Sequence, residues 1–213
     1  GAGDIHRAEQ LIWHALALGA AGALALLLLF GLVGQAFLRL LGGNGDALAQ
    51  AHAYTYLLLS GGILIWSLGI TTAIFRGMGN MKLPAGAMIL GALIQIPLSG
   101  CLILGAFGLP KLGISGAAVS AIVSGALVSG ALLLQLRNPS SLVKLRLSAL
   151  VFSKANFEDI LKVALPASLS PLLTVSTVLI LTALVGTFGD AALAGYGIGS
   201  RVEFLIIPLV FGF

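Results

Sequence analysis

The chain contains 213 residues, of which 59% are hydrophobic and only 8% are charged. Soluble domains carry about 25% charged residues, so this composition excludes an ordinary soluble globular protein. High hydrophobicity also excludes a disordered chain. The net charge of +4 is spread over short loops, unlike the clustered basic surface of a nucleic-acid-binding protein. We therefore predict an all-α integral membrane protein, a polytopic helix bundle with no nucleic-acid partner.

Six apolar segments are long enough to cross a bilayer, whose core of about 30 Å requires roughly 20 helical residues. The predicted spans lie near residues 11–38, 53–75, 83–108, 114–136, 157–188 and 191–213. None shows the strict alternation of a barrel strand. The chain starts in a polar stretch without Met and ends within the sixth apolar segment, so we expect it to be part of a longer protein.

The basic residues predict how the six spans are oriented, because cytoplasmic loops are enriched in Lys and Arg. Eight of the eleven basic residues fall on one side of the predicted spans, and three fall on the other. The eight are Arg7, Arg76, Lys82, Arg137, Lys144, Arg146, Lys154 and Lys162, and the three are Arg39, Lys111 and Arg201. This bias places residues 137–162 in the cytoplasm and the loops near 39–52, 108–113 and 186–190 outside.

No residue pattern predicts an enzyme, a cofactor site or a metal centre. His6, His14 and His52 are widely separated and have no acidic partner at a ligand spacing. The glycine-rich residues 42–45 lack the Lys-Ser/Thr of a P-loop, so we interpret them as a turn. Cys101 is the single cysteine, which excludes an intrachain disulfide. We expect a non-enzymatic protein without a cofactor.

Polar side chains within the apolar spans are the candidates for function. Such side chains usually hydrogen-bond helices together, but they also line the water-filled cavities of transporters, where broken helices bind the substrate. The candidates are Gln95, Ser99, Thr174, Arg201 and Glu203. The sequence leaves both interpretations open.

Three stretches of the chain carry recognisable motifs. Residues 75–84 follow the pattern R-G-x-G-x-x-x-x-P, residues 102–118 surround a Pro-Lys-Leu-Gly turn, and a Leu-Pro-Ala sequence at 165–167 precedes the glycine-rich residues 188–203. The motif residues are Arg76, Gly77, Gly79, Pro84, Pro110, Gly113, Gly116 and Pro166. In this order, these stretches resemble loops and helix starts of the multidrug and toxic compound extrusion (MATE) transporters, and residues 1–4 fit another loop of that family.

The resemblance implies a two-lobed fold of about twelve spans, of which this chain supplies the third to the eighth. Residues 1–140 would then be the remainder of the N-terminal lobe, residues 141–156 a cytoplasmic linker, and residues 157–213 the start of the C-terminal lobe. We expect the motif residues to be architectural, since glycines suit tight turns and close helix contacts.

The resemblance also implies a function: export of drugs or other amphipathic or cationic compounds by antiport with Na⁺ or H⁺. We expect a multi-pass protein of the bacterial inner membrane that is monomeric when complete. The coupling ion stays open, because Gln95 and Ser99 replace the Asn and Asp that family members often carry, and Thr174 replaces the Glu of one branch. The alternatives are a lipid-linked oligosaccharide flippase of the same superfamily and a non-transporting scaffold or gene remnant.

Arg201 and Glu203 are charged residues that interrupt the sixth apolar segment, and their depth depends on where the sixth helix begins. A start near Ala191 places them near mid-membrane, where charges are costly and usually functional. A later start places them at the outer interface, with Arg201 reaching to water as an anchor. The glycines at 195, 197 and 199 would permit a broken helix. Our hypothesis is that Glu203 faces the cavity and that Arg201 positions it.

Overall fold

The computed structural model describes residues 5–138 and 151–211, with side chains as far as residue 202. All regular structure in this part of the chain is helical, which confirms the predicted all-α fold. The helices are α1 (Ile5–Leu40), α2 (Gly45–Ser60), α3 (Gly62–Gly77), α4 (Lys82–Leu104), α5 (Ile114–Gln135), α6 (Lys154–Gly186) and α7 (Asp190–Phe211). Residues 1–4 and most of the predicted linker, residues 141–150, lie outside the described residues.

Four of the helices, α1, α4, α5 and α6, are each long and apolar enough to cross a membrane. The segment near 53–75, which the sequence predicted as one span, falls on two helices. It is a bent pair, α2 and α3, with an angle of 56° between the two helices. The side chain of Ile122 on α5 occupies the place that a Cβ at Gly61 would need, so this glycine permits both the bend and the close contact.

The first of two compact units comprises Gly1–Leu32 and Ala53–Ala164. In this unit α5 packs against both α3 and α4. Its core is a cluster of buried apolar side chains at the end of these helices nearest the 75–84 loop. The cluster consists of Phe75, Ala87, Val128, Leu132 and Leu136. Large apolar side chains such as Met88, Leu93 and Ile96 stay exposed, as expected for helices solvated by lipid.

Small residues at every fourth position let α5 approach its neighbours closely. Gly116, Ser120 and Ser124 are all buried. A Cβ at Gly116 would lie 2.8 Å from the carbonyl carbon of Leu102, so any side chain there would push α4 away. This spacing of small residues is the pattern by which membrane helices pack without large side chains between them.

The second unit comprises Val33–His52 and Leu165–Phe213. Here α1 ends in a Schellman motif, in which the N–H of Gly43 bonds to the carbonyl of Leu38 and the N–H of Gly42 to that of Arg39, each at 3.0 Å. Gly42 has a φ of +95°, which only glycine adopts readily. A Cβ at Gly42 would lie 2.8 Å from the Cα of Gly186, at the end of α6. We call this the Gly42–Gly186 contact.

Candidate functional site

The loop with the R-G-x-G-x-x-x-x-P pattern is a second Schellman motif. Arg76 is exposed in the last turn of α3, and the N–H of Gly79 bonds to its carbonyl at 2.9 Å. The N–H of Asn80 bonds to the carbonyl of Phe75 at 3.0 Å, and Gly79 has a φ of +79°. The side chain of Asn80 then accepts a hydrogen bond from the N–H of Leu83 in the first turn of α4. The loop thus ends one helix and starts the next.

Two proline positions of the motifs are found in helices. Pro84 is buried in the first turn of α4, where its missing N–H removes no intrahelical hydrogen bond. Pro166 lies inside α6 and is exposed, together with Pro171. Gly77 is the last residue of α3, and the space around its Cα is open.

The loop before α5 is closed by the N–H of Leu112, which bonds to the carbonyl of Leu102 at 2.9 Å. Gly105 and Gly113 have φ values of +73° and +56°, and Pro110 is exposed between them. Gly108, with a φ of +79°, lies between them as well, so glycine is required three times in this loop for conformational reasons. No motif residue described here places a charged or reactive group in a cavity.

Gln95 lies on α4 and joins it to α5. Its Oε1 accepts a hydrogen bond of 3.4 Å from the hydroxyl of the buried Ser124. Ser99 is half-buried one turn further along the same face of α4. These two residues are brought together on one face, and the bond of Gln95 to Ser124 is the kind that holds membrane helices together.

Thr174 is exposed on α6, where its hydroxyl donates to the carbonyl of Ser170 at 3.1 Å. The hydroxyl of Thr177 donates in the same way to Leu173 at 3.0 Å. Bonds of this type satisfy the hydroxyl within its own helix. A threonine bonded in this way is tolerated equally on a lipid-facing surface and on a cavity wall.

Arg201 is exposed and occupies the middle of α7, which begins at Asp190. At 1.5 Å per residue, it lies about 16 Å from the start of the helix, close to half the thickness of a bilayer core. The helix continues without a break through the glycines at 195, 197 and 199. Positions 201 and 203 are therefore about 200° apart around the helix axis. The side chain of Glu203 lies outside the described residues.

The second unit contains a cavity of about 350 Å³ that the sequence did not predict. Its wall is mostly apolar and includes Leu38, Ala47 and Val178. The polar residues among those that line it are Asp190, Thr182, Tyr196 and Ser200. We call it the Asp190 cavity. Thr174 and Arg201 lie in the same unit but do not line it.

Two further cavities lie in the first unit. One of about 490 Å³ is lined by apolar residues of α1 and α3 together with Ile160, and one of about 340 Å³ lies between α4 and α5. Within the described residues, no three His, Cys, Asp or Glu side chains come close enough to hold a metal ion. Of the described cavities, the Asp190 cavity combines a carboxylate with an aromatic ring.

Sequence reasoning missed the buried polar contacts of the first unit. Ser67 and Ser129 share a hydrogen bond of 2.6 Å between α3 and α5, and Thr71 is fully buried one turn after Ser67. His14, treated as an isolated histidine, is also fully buried. The repeat of small residues along α5 was the available signal for the Ser67–Ser129 contact. No pattern near His14 in the sequence could have revealed its burial, because its hydrogen-bond partner Ser153 is 139 residues away.

A comparison with known families and proteins places these features in context. The family model for MatE matches residues 1–100. The chain is 27% identical over 177 residues to the probable multidrug resistance protein YoeA of Bacillus subtilis (strain 168), covering 81% of this chain. It is 26% identical over 215 residues to the FAD transporter of Shewanella oneidensis (strain MR-1), covering 99% of this chain.

The fold is similar to that of a solved MATE transporter of the MOP superfamily in its inward-facing conformation. The TM-score is 0.82 at 24% identity, and the match covers 97% of this chain and 52% of that one. The chain spans 38% and 46% of the lengths of the two curated relatives. The matching family model, these relatives and the shared fold show that this multi-pass membrane chain is similar to MATE transporters over nearly all of its length.

Proposed function

We propose that the complete protein is a secondary active transporter that exports amphipathic cations by antiport with Na⁺ or H⁺. The observation that carries this proposal is the Asp190 cavity, whose volume of about 350 Å³ suits a small organic molecule. An apolar wall binds the body of such a molecule, while a carboxylate and an aromatic ring attract its positive charge. The relative named a probable multidrug resistance protein supports the export of drugs.

The Gly42–Gly186 contact supports an alternating-access mechanism. Gly42 belongs to the first predicted lobe and Gly186 to the second, and both lie in loops or helix ends that the charge bias places outside. A contact between two glycine backbones depends on shape alone, so it separates without breaking a charged pair. We propose that this contact closes the outer end of the transport pathway and opens once per cycle, as lobes move against each other in secondary transporters.

Ion antiport supplies enough energy for this cycle. One elementary charge crossing about 100 mV releases about 2.3 kcal/mol before any concentration gradient contributes. Collapsing the Na⁺ gradient and the H⁺ gradient separately, in cells that express the complete gene, identifies the coupling ion. Export that survives both treatments would contradict antiport.

The substrate class is tested with Asp190→Asn in the complete transporter, expressed in cells that lack other efflux pumps. Loss of a partly exposed charge interaction of about 1 kcal/mol corresponds to about fivefold weaker export of a lipophilic cation. Asp46→Asn is the matched control, since Asp46 is also an exposed acid in the first turn of its helix but does not line the cavity. Equal effects of the two variants would overturn the assignment of the cavity.

An anionic dinucleotide is the second candidate substrate, because the relative that matches 99% of this chain is named an FAD transporter. Arg201, in the middle of α7, is the basic residue that we expect to attract such a substrate. Arg201→Gln would then reduce FAD secretion, while Arg39→Gln at the exposed end of α1 would not. Normal cation export with no FAD secretion favours the first candidate, and the absence of both transport activities favours a flippase or a scaffold.

A further inference from the structure

His14 lies on α1 in the first unit, and its side chain is 0% exposed. Its Nδ1 is 2.7 Å from the carbonyl oxygen of Gln10, one turn earlier on the same helix. Its Nε2 accepts the backbone N–H of Ser153 at 2.9 Å. The rings of Phe152 and Phe157 meet the imidazole edge-on, at centroid distances of 5.4 Å and 4.5 Å. We call these residues the His14 cluster.

The two hydrogen bonds define the protonation state of the ring. A backbone N–H can only donate, so Nε2 must carry a lone pair and no proton. A carbonyl oxygen can only accept, so Nδ1 must carry the proton. Only the neutral Nδ1–H tautomer makes both bonds at once. A second proton, on Nε2, would point at the N–H of Ser153 and replace that hydrogen bond with a repulsive contact.

Other groups on the same two segments reinforce the contact. The amide of the buried Asn156 donates to Oε1 of Gln10 at 3.4 Å. The guanidinium of Arg7 forms an exposed ion pair with Asp159. Further ionisable residues on these segments are His6, the buried Glu9, and Lys154 with Glu158, which form a surface pair at 3.6 Å. The groups described above as touching the His14 ring, two backbone groups and two phenyl rings, are uncharged.

We propose that neutral His14 holds residues 151–157 against α1 and that protonation of His14 releases them. Residues 151–156 are the end of the predicted linker, residues 141–156, so the release would loosen the junction between the predicted lobes at acidic pH. Histidine is the side chain whose charge changes between about pH 5 and pH 8, which makes it suitable for such a switch. The proposal concerns a contact within the first unit and does not depend on which substrate is transported.

The test is spin-label spectroscopy on the complete transporter, with its native cysteines, Cys101 among them, replaced by alanine. The label is placed at Ala155→Cys, an exposed position in the first turn of α6. We expect the mobile component of the spectrum to increase by about twofold or more when the pH falls from about 8 to about 5. A spectrum that does not change over this interval would overturn the proposal.

Two variants separate the role of His14 from a general effect of acid. His14→Phe keeps an aromatic ring against Phe152 and Phe157 but loses both hydrogen bonds, so we expect a mobile label at every pH. His6→Phe, at an exposed histidine two turns earlier on α1, should respond to pH as the unmodified protein does. The proposal fails if His14→Phe is as immobile as the unmodified protein at about pH 8, or if His6→Phe loses the pH response. Should His14→Phe not fold, the unmodified protein and His6→Phe still decide the result.

Discussion

Two contacts join residues of the first predicted lobe to residues of the predicted linker or of the second lobe, and their chemistry differs. The His14 cluster, in the first unit, consists of directed hydrogen bonds and ring contacts around a fully buried imidazole. The Gly42–Gly186 contact, in the second unit, brings two backbones together without side chains between them. The first specifies one geometry and resists separation, while the second depends only on shape. We infer that the glycine contact is the one that opens during transport.

The difference between the two contacts is tested most strongly by placing a large side chain at the Gly42–Gly186 contact. Gly186→Leu places a side chain where a Cβ would already lie 2.9 Å from the carbonyl oxygen of Leu41. Overpacking of this kind costs about 1–3 kcal/mol, so we expect transport to slow by about tenfold or more because the closed arrangement cannot form. Gly195→Leu on α7, where a Cβ meets nothing within 4 Å, is the control and should transport normally.

A smaller change at the other side of the contact separates crowding from backbone strain. Gly42 and Gly189 have φ values of +95° and +97°, so alanine is strained equally at both positions. Only Gly42 has a close neighbour, since a Cβ at Gly189 meets nothing within 4 Å. We expect Gly42→Ala to transport about fivefold more slowly than Gly189→Ala, equivalent to about 1 kcal/mol of crowding. Equal transport rates in the two variants would show that the contact is not used.

Removing a hydrogen bond next to the His14 cluster is expected to lower the stability of the protein. Asn156→Ala removes the amide that bonds to Gln10, and a long bond of 3.4 Å should contribute about 0.5 kcal/mol. Thermal unfolding of the purified complete transporter measures the loss, and Gln10→Ala completes a double-mutant cycle. Fully additive losses would show that the two side chains do not interact in the protein.

The smallest effect is expected for the ion pair of Arg7 and Asp159, because both side chains are about half exposed. Arg7→Gln and Asp159→Asn should each cost about 0.2–0.5 kcal/mol at low salt and less at high salt, where charges are screened. Lys154→Gln is the matched control, since Lys154 belongs to a still more exposed pair with Glu158. A loss that does not depend on salt would assign Arg7 a role beyond this pair.

The sequence predicted those features of the fold that depend on local hydrophobicity. The predicted span at 114–136 is close to α5 (Ile114–Gln135), since uninterrupted apolar runs of this length have few alternatives in lipid. The break at Gly61 could not be predicted, because it depends on the packing of Ile122 from another helix. The suggested break in α7 is absent, because a helix in lipid retains its backbone hydrogen bonds even through several glycines.

The candidate site was less predictable, because it too depends on packing between segments that are distant in the sequence. The Asp190 cavity and the His14 cluster each join segments that lie more than 100 residues apart in the sequence, and a single sequence contains no signal for such pairs. Gln95 and Thr174 were candidates because they are polar residues within spans. In the structure Gln95 bonds to Ser124 on the packed helix α5, and Thr174 bonds to the carbonyl of Ser170. The roles of Arg201 and Glu203 remain a prediction.

The central claim is that the Gly42–Gly186 contact opens during transport while the His14 cluster stays intact. Pulsed electron spin resonance on the complete transporter measures this directly, with one label pair at Asn44 and Thr187 and another at His6 and Ala155, all of them exposed positions. At neutral pH we expect two distances for the first pair, with populations that change when the ion gradient or substrate is added, and a single unchanged distance for the second pair. A single fixed distance between Asn44 and Thr187 under all conditions would contradict the account.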